Sequence, residues 1–266
     1  MRKMKWMLAL LLVVALLQTA VATAATGEEP ASPLVDQEAK DILMNMADFL
    51  SQAKSFSVSI ETGYDVVQDT GQKIEFGASR KVLIQRPDHA RVEIMQRDGA
   101  KAEFIFDGKE IYVFNERDNV FGTVEKPGTI DQAIKYFTED LQMRLPLSEL
   151  FSTDLPNFFN NHVRILDFVG AEIIDGITCD HLAARTDNAD FQVWIEQGDK
   201  PLPRRIIITY KNELGQPQFW AQFRDWNLSP EISKSAFTIK PPKGAEQISF
   251  VALMQKKSEP GEKKGD

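Results

Sequence analysis

The side chains best suited to chemistry in this sequence are a cysteine and a histidine two positions apart. Cys179 and His181 lie in a run that alternates like a strand, which would place both on one face. Together they could supply two metal ligands or a thiolate–imidazole pair. Two ligands do not complete a metal site, and a buried cysteine beside a histidine bonded to a backbone carbonyl is the structural alternative. Metal-dependent activity at this pair is one hypothesis, and a structural role is the other.

The rest of the chain lacks the motifs of the common enzyme classes. Its other histidines, His89 and His162, are far from His181 in sequence. Two acidic pairs could be considered as catalytic carboxylates: Glu103 with Asp107, and Asp167 with Glu172. Acids at the ends of strands and turns are usually solvated, however, and no nucleophile elbow, H-E-x-x-H, P-loop or G-x-G-x-x-G motif occurs. We therefore predict a non-enzymatic protein that needs no metal and no cofactor.

The composition is that of a globular protein. Of the 266 residues, 43% are hydrophobic and 26% are charged, which is enough to build one sizeable core. The formal net charge is −8, and the basic residues do not cluster among aromatic ones, so nucleic acid is excluded as a partner. A single cysteine excludes an internal disulfide framework and multi-cysteine metal sites.

The first 25 residues have the pattern of a secretory signal peptide. Arg2, Lys3 and Lys5 precede an apolar run over residues 7–17, and small residues follow at 22–24. The run is shorter than the ~20 residues that span a bilayer. We expect an exported, periplasmic protein that does not span the membrane and is monomeric, with residues 26–34 as a linker.

The positions that could do chemistry must be held by a single domain over residues 35–250. Apolar residues at helical spacing between Val35 and Phe49 predict a helix that begins at Ser32-Pro33 and ends near Leu50. From residue 55 to 125 the period becomes two, with turn residues every 8 to 16 positions or so, which predicts six antiparallel strands. Five more strands are predicted between residues 163 and 228.

Between the two groups of strands the pattern predicts three helices. Thr129 and Gln132 form a capping-box pair at the start of a helix over 129–143, and Pro146 follows its end. A short turn over 147–151 and a third piece capped by Asp154 complete the segment. Residues 251–266 are predicted to be a mostly disordered tail. The fold class is α+β: a curved antiparallel half-barrel of about 11 strands, with an N-terminal helix and a three-helix lid between strands 6 and 7.

Several short motifs, in order along the chain, carry a resemblance to a known superfamily. They are Arg86-Pro87-Asp88, Asp107-Gly108-Lys109 before Ile111-Tyr112-Val113, Cys179-Asp180-His181-Leu182, Trp194-Ile195-Glu196, Leu202-Pro203-Arg204-Arg205, and an F-x-x-x-P-P-x-G ending over 237–244. The first two and the ending resemble the outer-membrane lipoprotein carriers LolA and LolB. The others resemble, within that superfamily, a family of predicted periplasmic proteins of unknown function. The resemblance covers most of residues 35–250.

The resemblance implies a role for Arg86. In LolA-type carriers an open eleven-stranded barrel is closed by helices, acyl chains occupy the cavity, and the arginine of the Arg-Pro turn hydrogen-bonds the lid. Arg86 would then be a lid latch, since a guanidinium offers five N–H donors. The alternative is a solvated arginine before a turn proline.

A curved sheet covered by helices predicts a lidded cavity for a lipid, an acyl chain or a lipoprotein-like amphiphile. Burial of such a chain contributes roughly 0.8 kcal/mol per CH₂. The candidate lining residues are Phe104, Phe106, Val113, Phe137, Val193, Ile206, Ile208, Phe219 and Phe223. The same pattern also fits a dry, fully packed core. A second functional hypothesis is therefore an envelope module for protein interaction or stress sensing, which has the same fold but no lipid ligand.

Overall fold

The computed structural model describes residues 34–256. The predicted signal peptide and nearly all of the predicted linker lie outside this range. The first helix, α1 (Gln37–Gln52), begins at Asp36, whose side chain accepts a hydrogen bond from the backbone N–H of Ala39 at 3.0 Å. The predicted start at Ser32-Pro33 is wrong for the helix itself, because Val35 instead forms a parallel bridge with Leu166.

Six strands follow α1, as predicted. They are β1 (Ser55–Val67), β2 (Lys73–Gln85), β3 (His89–Gln96), β4 (Lys101–Phe106), β5 (Glu110–Asn115) and β6 (Val120–Glu125). Each pairs antiparallel with the next through a short turn. Along β1 the inward-facing residues from Phe56 to Thr62 are buried, while those between them are partly exposed. The alternating apolar and polar residues of the sequence thus face the inner and the outer side of the sheet, respectively.

The five later strands join the same sheet. They are β7 (Ile165–Ile174), β8 (Ile177–Arg185), β9 (Asp190–Glu196), β10 (Pro203–Thr209) and β11 (Gln218–Asn227). The sheet order is β12-β6-β5-β4-β3-β2-β1-β11-β10-β9-β8-β7, so the first and last long strands pair at its centre. A two-residue strand, β12 (Glu246–Gln247), pairs parallel with β6 and makes twelve strands rather than about eleven. The result is a large, open, mainly antiparallel sheet.

The helical insert, residues 130–162, connects β6 to β7. It contains α2 (Ile130–Lys135), a π-helical turn (Tyr136–Asp140), α3 (Ser148–Phe151) and α4 (Leu155–His162). Thr129 and Gln132 form the predicted capping box. The predicted helix over 129–143 is too long, because the chain widens into the π turn, where the Leu141 N–H donates to the Tyr136 carbonyl at 3.0 Å. Asp154 precedes α4 as predicted, but its side chain makes no capping bond to the backbone.

One face of the sheet and the helices enclose a single large core. The buried face of α1 packs against α3, α4 and β7 to β9, so it covers one half of the sheet. The start of the insert covers the other half: Ile130, Ala133 and Phe137 belong to the same buried cluster as Phe106 and residues of β5. The helices therefore lie on the inner face of the sheet on both sides of its centre.

A C-terminal helix, α5 (Phe250–Lys256), occupies the start of the predicted disordered tail. Phe250, Leu253 and Met254 are buried, and the Phe250 ring lies 6.1 Å from that of Phe137. A Cβ atom at Gly122 of β6 would lie 3.0 Å from the Phe250 Cα atom, so glycine there admits the helix. The tail prediction is wrong for residues 251–256, and the remainder of that segment lies outside the described residues.

The outer face carries a smaller core under the segment that follows β11. Tyr112 is fully buried there beside Phe237, and its hydroxyl has no hydrogen-bond partner within residues 34–256. Burial, with a smaller effect of the Glu103 charge, raises the pKa of Tyr112 to about 12. An unsatisfied buried hydroxyl costs about 1–3 kcal/mol of stability.

We therefore expect Tyr112→Phe to raise the free energy of unfolding by about 1 kcal/mol at pH 7. Above pH ~10 the wild type should lose further stability, because its tyrosine ionises in the unfolded chain before it ionises in the folded one. The variant lacks that loss, so the gap should widen as the pH rises. Urea unfolding at pH 7 and pH 10.5 measures both effects, with the exposed Tyr64→Phe as control. Equal stability of Tyr112→Phe and wild type would contradict the expectation.

Candidate ligand-binding cavities

The first cavity lies between the inner face of β2 to β5 and the start of the helical insert. Its volume is about 320 Å³. The sheet contributes mainly aliphatic and aromatic side chains to its wall: Ile60, Val82, Ile84, Val92, Ile94, Phe104, Phe106 and Val113. The helices and the segment after them supply Ile130, Ala133, Ile134, Phe137, Met143 and Phe151, and α5 adds Met254. A wall of this kind suits a ligand with a large apolar part.

The second cavity lies under the other half of the sheet, beside α4. Its volume is about 240 Å³, and it is lined from α1 and α4 by residues such as Met46, Leu155 and Phe159. The strands contribute Phe191, Val193, Ile206 and Ile208. The Phe159 and Phe191 rings stack at 5.9 Å across this space.

One short segment separates the two cavities. Residues 144–147, which connect the π turn to α3, line both of them. The segment is anchored to residues that follow β10: Arg144 forms an ion pair with Glu213 and lies over the Tyr210 ring at 4.4 Å from its centroid. These four residues are therefore common to the walls of both cavities.

The nine residues predicted to line a ligand site are thus divided by the structure. Five of them line the first cavity: Phe104, Phe106, Val113, Phe137 and Phe219. Three line the second: Val193, Ile206 and Ile208. Phe223 lines neither, because it is buried in a stack with the ring of Trp226 at 6.0 Å. The strand alternation identifies the inner face, but it does not reveal the segment that divides the space above it.

Arg86 makes the contacts expected of an arginine beneath the helices. Its Nη1 donates to the backbone carbonyl of Phe151 in α3 at 2.6 Å, and its Nε donates to the carbonyl of Ala53 after α1 at 3.1 Å. The guanidinium also lies 5.9 Å from the Phe56 ring centroid. Burial lowers the pKa of Arg86, an effect that the nearby Asp131 carboxylate opposes. The solvated alternative is therefore wrong, whereas the latch role itself stays a prediction.

Asp131 ties the start of α2 to the segment between α3 and α4. Its carboxylate accepts hydrogen bonds from the Thr153 backbone N–H at 2.8 Å and from the Thr153 hydroxyl at 2.6 Å. Burial alone would raise the pKa of Asp131, but these hydrogen bonds and the Arg86 charge together lower it. Arg86, Asp131 and Thr153 thus connect α2, α3 and the end of β2.

Three charged residues border the first cavity: Arg80, Glu103 and Arg144. Glu103 forms an ion pair with Arg91 at 2.6 Å, and Arg144 pairs with Glu213. Arg80 was missed by the sequence analysis. A signal was available, because it occupies an inward position of β2 in an otherwise apolar series of Ala78, Val82 and Ile84.

The structure gives Cys179 and His181 separate surroundings. His181 Nδ1 lies 2.9 Å from Glu172 Oε1 and Nε2 lies 3.0 Å from Gln192 Oε1, while its ring stacks on Trp194 at 4.1 Å. The Trp194 indole N–H and then His181 hydrogen-bond Glu172 and lower its pKa. Within residues 34–256 no three His, Cys, Asp or Glu side chains are placed to hold a metal ion. The thiolate–imidazole pair is not formed, because both ring nitrogens have other partners.

Burial makes Cys179 a poor nucleophile. Desolvation raises its pKa to about 11, although the Arg204 charge acts in the opposite direction. We expect iodoacetamide at pH 8 to modify Cys179 in the folded protein at least ~100-fold more slowly than in urea, because the thiolate is the reacting form. Intact-mass measurement over time gives both rates. Comparable modification rates in the folded and unfolded protein would contradict the burial of the Cys179 thiol.

A groove on the sheet has a different character. It measures about 560 Å³ and is lined largely by charged residues, among them Glu61, Lys81, Arg91 and Glu93, and it shares Arg80 with the first cavity. Several of these are already ion-paired, since Arg91 contacts Glu93 at 3.2 Å and Glu103 at 2.6 Å. The apolar cavities are therefore the better candidates for ligand binding.

No helix within residues 34–256 is long and apolar enough to cross a membrane. A family model described as "Predicted periplasmic protein (DUF2092)" matches residues 39–251. The chain belongs to this family. The resemblance to predicted periplasmic proteins is thereby confirmed, and the family's description agrees with the export predicted from the N-terminal sequence. No curated protein matches the chain with significant similarity.

Three solved structures that are similar to this member of the DUF2092 family are distant from it in sequence. The lipoprotein LppX of Mycobacterium tuberculosis is 18% identical, with 74% of this chain and 100% of that chain covered and a TM-score of 0.47. A LolA-superfamily protein of Nitrosomonas europaea is 14% identical, with 76% and 97% covered and a TM-score of 0.38. MucB in the MucA/MucB complex of Pseudomonas aeruginosa is 18% identical, with 76% and 61% covered and a TM-score of 0.40.

Proposed function

We propose that this protein is a non-enzymatic periplasmic binding or carrier protein for a lipid, an acyl chain or a lipoprotein-like amphiphile. The observation that carries the proposal is the first cavity, which lies between the sheet and the helical insert and is lined mainly by apolar side chains. An acyl chain needs few directional contacts and gains roughly 0.8 kcal/mol for each CH₂ removed from water. The description of the DUF2092 family supports the periplasm as its location.

The size of the cavity fits one chain better than a whole lipid. A volume of about 320 Å³ is near the lower end of the ~300–1,000 Å³ typical of ligand sites. Displacement of residues 144–147 would add the second cavity, of about 240 Å³, to the first. In this proposal the closed arrangement is the empty protein, and a longer chain enters when the insert moves away from the sheet.

Arg86 is the proposed latch for that movement, because it donates to carbonyls of α3 and of the residue after α1. We expect Arg86→Met to loosen the insert, so that backbone amides near α3 exchange with deuterium at least about tenfold faster, equivalent to ~1.4 kcal/mol. Hydrogen exchange measured by mass spectrometry tests this. Arg97→Met is the matched control, since Arg97 pairs on the surface with Glu75 at 2.7 Å. Unchanged exchange near α3 in Arg86→Met would remove the latch from the proposal.

The test of the function is native mass spectrometry of the mature protein, purified from periplasm without detergent. The proposal predicts an added mass in the lipid or lipopeptide range, which solvent extraction releases for identification. Protein purified empty should take up added dodecanoate at a ratio of one to one. A clean apoprotein that also refuses dodecanoate would contradict the proposal.

A second candidate function is a protein-interaction module of the cell envelope. The observation that favours it is an exposed apolar patch at the end of the β1–β2 hairpin. Tyr64 and Phe76 are paired across the strands with ring centroids 6.0 Å apart, and they are 40% and 45% exposed. Ile74 extends the patch on the same face. This function predicts a folded protein that does not bind fatty acids. It also predicts that the Phe76→Ser variant no longer binds a protein partner that the wild type binds.

A further inference from the structure

Arg80 is the charged residue of β2 that points to the inner face of the sheet. In the sheet register it lies between Ile60 of β1 and Ile94 of β3, and all three residues line the first cavity. Its Nη1 donates to the hydroxyl of Thr62, a fully buried residue whose hydroxyl in turn donates to the Ala78 carbonyl at 2.9 Å. The guanidinium is thus held in place at the cavity wall.

The charge of Arg80 has no counter-charge within residues 34–256. The other two charged residues at this cavity are paired, Glu103 with Arg91 and Arg144 with Glu213. No carboxylate lies within ion-pair distance of Arg80, and its remaining N–H groups make no hydrogen bond to the described residues. Burial accordingly lowers the pKa of Arg80, an effect opposed by Tyr64 alone. A cation that burial partly removes from water is costly without a counter-charge, and an anion at the cavity would offset that cost.

We propose that Arg80 binds the anionic head group, carboxylate or phosphate, of an amphiphile whose acyl chain lies in the first cavity. This inference rests on the proposed function and specifies its ligand class. A guanidinium forms paired, charge-assisted hydrogen bonds with either group, and four of its five N–H donors are available here. Neutral lipids and alcohols cannot replace those bonds.

The apolar part of the ligand has a direction in this arrangement. From Arg80 the inner face of β2 continues through Val82 to Ile84, a distance of ~13 Å at the rise of a strand. Ile130 and Ala133 of α2 line the same cavity as these residues. A chain anchored at Arg80 therefore runs along β2 toward the helical insert and Arg86, where it would act on the proposed latch.

Equilibrium dialysis with three ligands of equal chain length tests the head-group preference. Dodecanoate, dodecyl phosphate and dodecanol carry a carboxylate, a phosphate and no charge, respectively. We expect the wild type to bind at least one anion ten times or more tightly than dodecanol, and the stronger of the two anions identifies the natural head group. Arg80→Met keeps an unbranched apolar side chain without the charge and should bind the three ligands with affinities within twofold of one another. The surface variant Arg97→Met should retain the wild-type preference.

Each outcome separates this inference from the proposed function. Equal binding of dodecanoate, dodecyl phosphate and dodecanol by the wild type would overturn the role of Arg80 while leaving an apolar binding site intact. A preference for anions that persists in folded Arg80→Met would also overturn it. If Arg80→Met does not fold, the comparison within the wild type still decides whether an anionic head group is recognised. Failure of all three ligands to bind would contradict the proposed function itself.

Discussion

Replacement of Phe250 by alanine is expected to lower the free energy of unfolding by about 3–5 kcal/mol. Phe250 is 5% exposed, and its ring contacts those of Tyr136 at 6.3 Å and Phe137 at 6.1 Å. The substitution would remove the apolar contacts of α5 with the π turn and open a cavity against Gly122 of β6. Both the lost burial and the new cavity destabilise the folded state.

Urea unfolding followed by circular dichroism measures this effect. Val251→Ala is the matched control, because Val251 is the next residue of the same helix and is 44% exposed. We expect the control to unfold within about 0.5 kcal/mol of the wild type. A Phe250→Ala variant as stable as Val251→Ala would mean that α5 does not belong to the core.

The second large effect is expected from filling the first cavity. Ala133 of α2 lines that cavity and is 6% exposed, so Ala133→Phe would place a ring where the acyl chain is proposed to lie. We expect its affinity for dodecanoate to fall at least ~30-fold, equivalent to ~2 kcal/mol. Overpacking would also cost about 1–3 kcal/mol of stability, so unfolding must be measured in parallel.

Ala189→Phe is the comparison for this experiment, because Ala189 lines the second cavity. A ligand held in the first cavity alone should bind Ala189→Phe within about threefold of the wild type. A chain long enough to displace residues 144–147 would lose affinity in both variants, and a series of chain lengths separates the two cases. Full affinity of folded Ala133→Phe would place the ligand elsewhere.

The fold could be predicted from the sequence where local signals were strong. The alternation from Phe56 onward identifies the strands, and the Thr129–Gln132 capping box identifies the start of α2. The start of α1 was misplaced because Val35 pairs with the distant Leu166, which no local pattern reveals. Helix α5 was missed for a similar reason. Seven residues are too few to form a stable helix alone, and Phe250 is held by its contact with Phe137 of the π turn.

The candidate site was only partly predictable. Inward-facing residues such as Phe104 and Ile206 follow from strand periodicity, so eight of the nine predicted residues line a cavity. The division into two cavities depends on the path of residues 144–147, a non-helical connection with no periodic signal. The alternation along β2 indicates that Arg80 faces inward, but its position at the first cavity depends on the sheet register, which pairs it with Ile60 and Ile94.

Methyl NMR of protein labelled at isoleucine δ1 carbons and titrated with dodecanoate shows whether an amphiphile binds between the sheet and the helical insert. Binding there predicts shifts for Ile84, Ile94, Ile130 and Ile134, which line the first cavity, and none for Ile173, which is 71% exposed. Shifts at Ile173 without shifts at the four cavity residues, or no shifts at all, would contradict it.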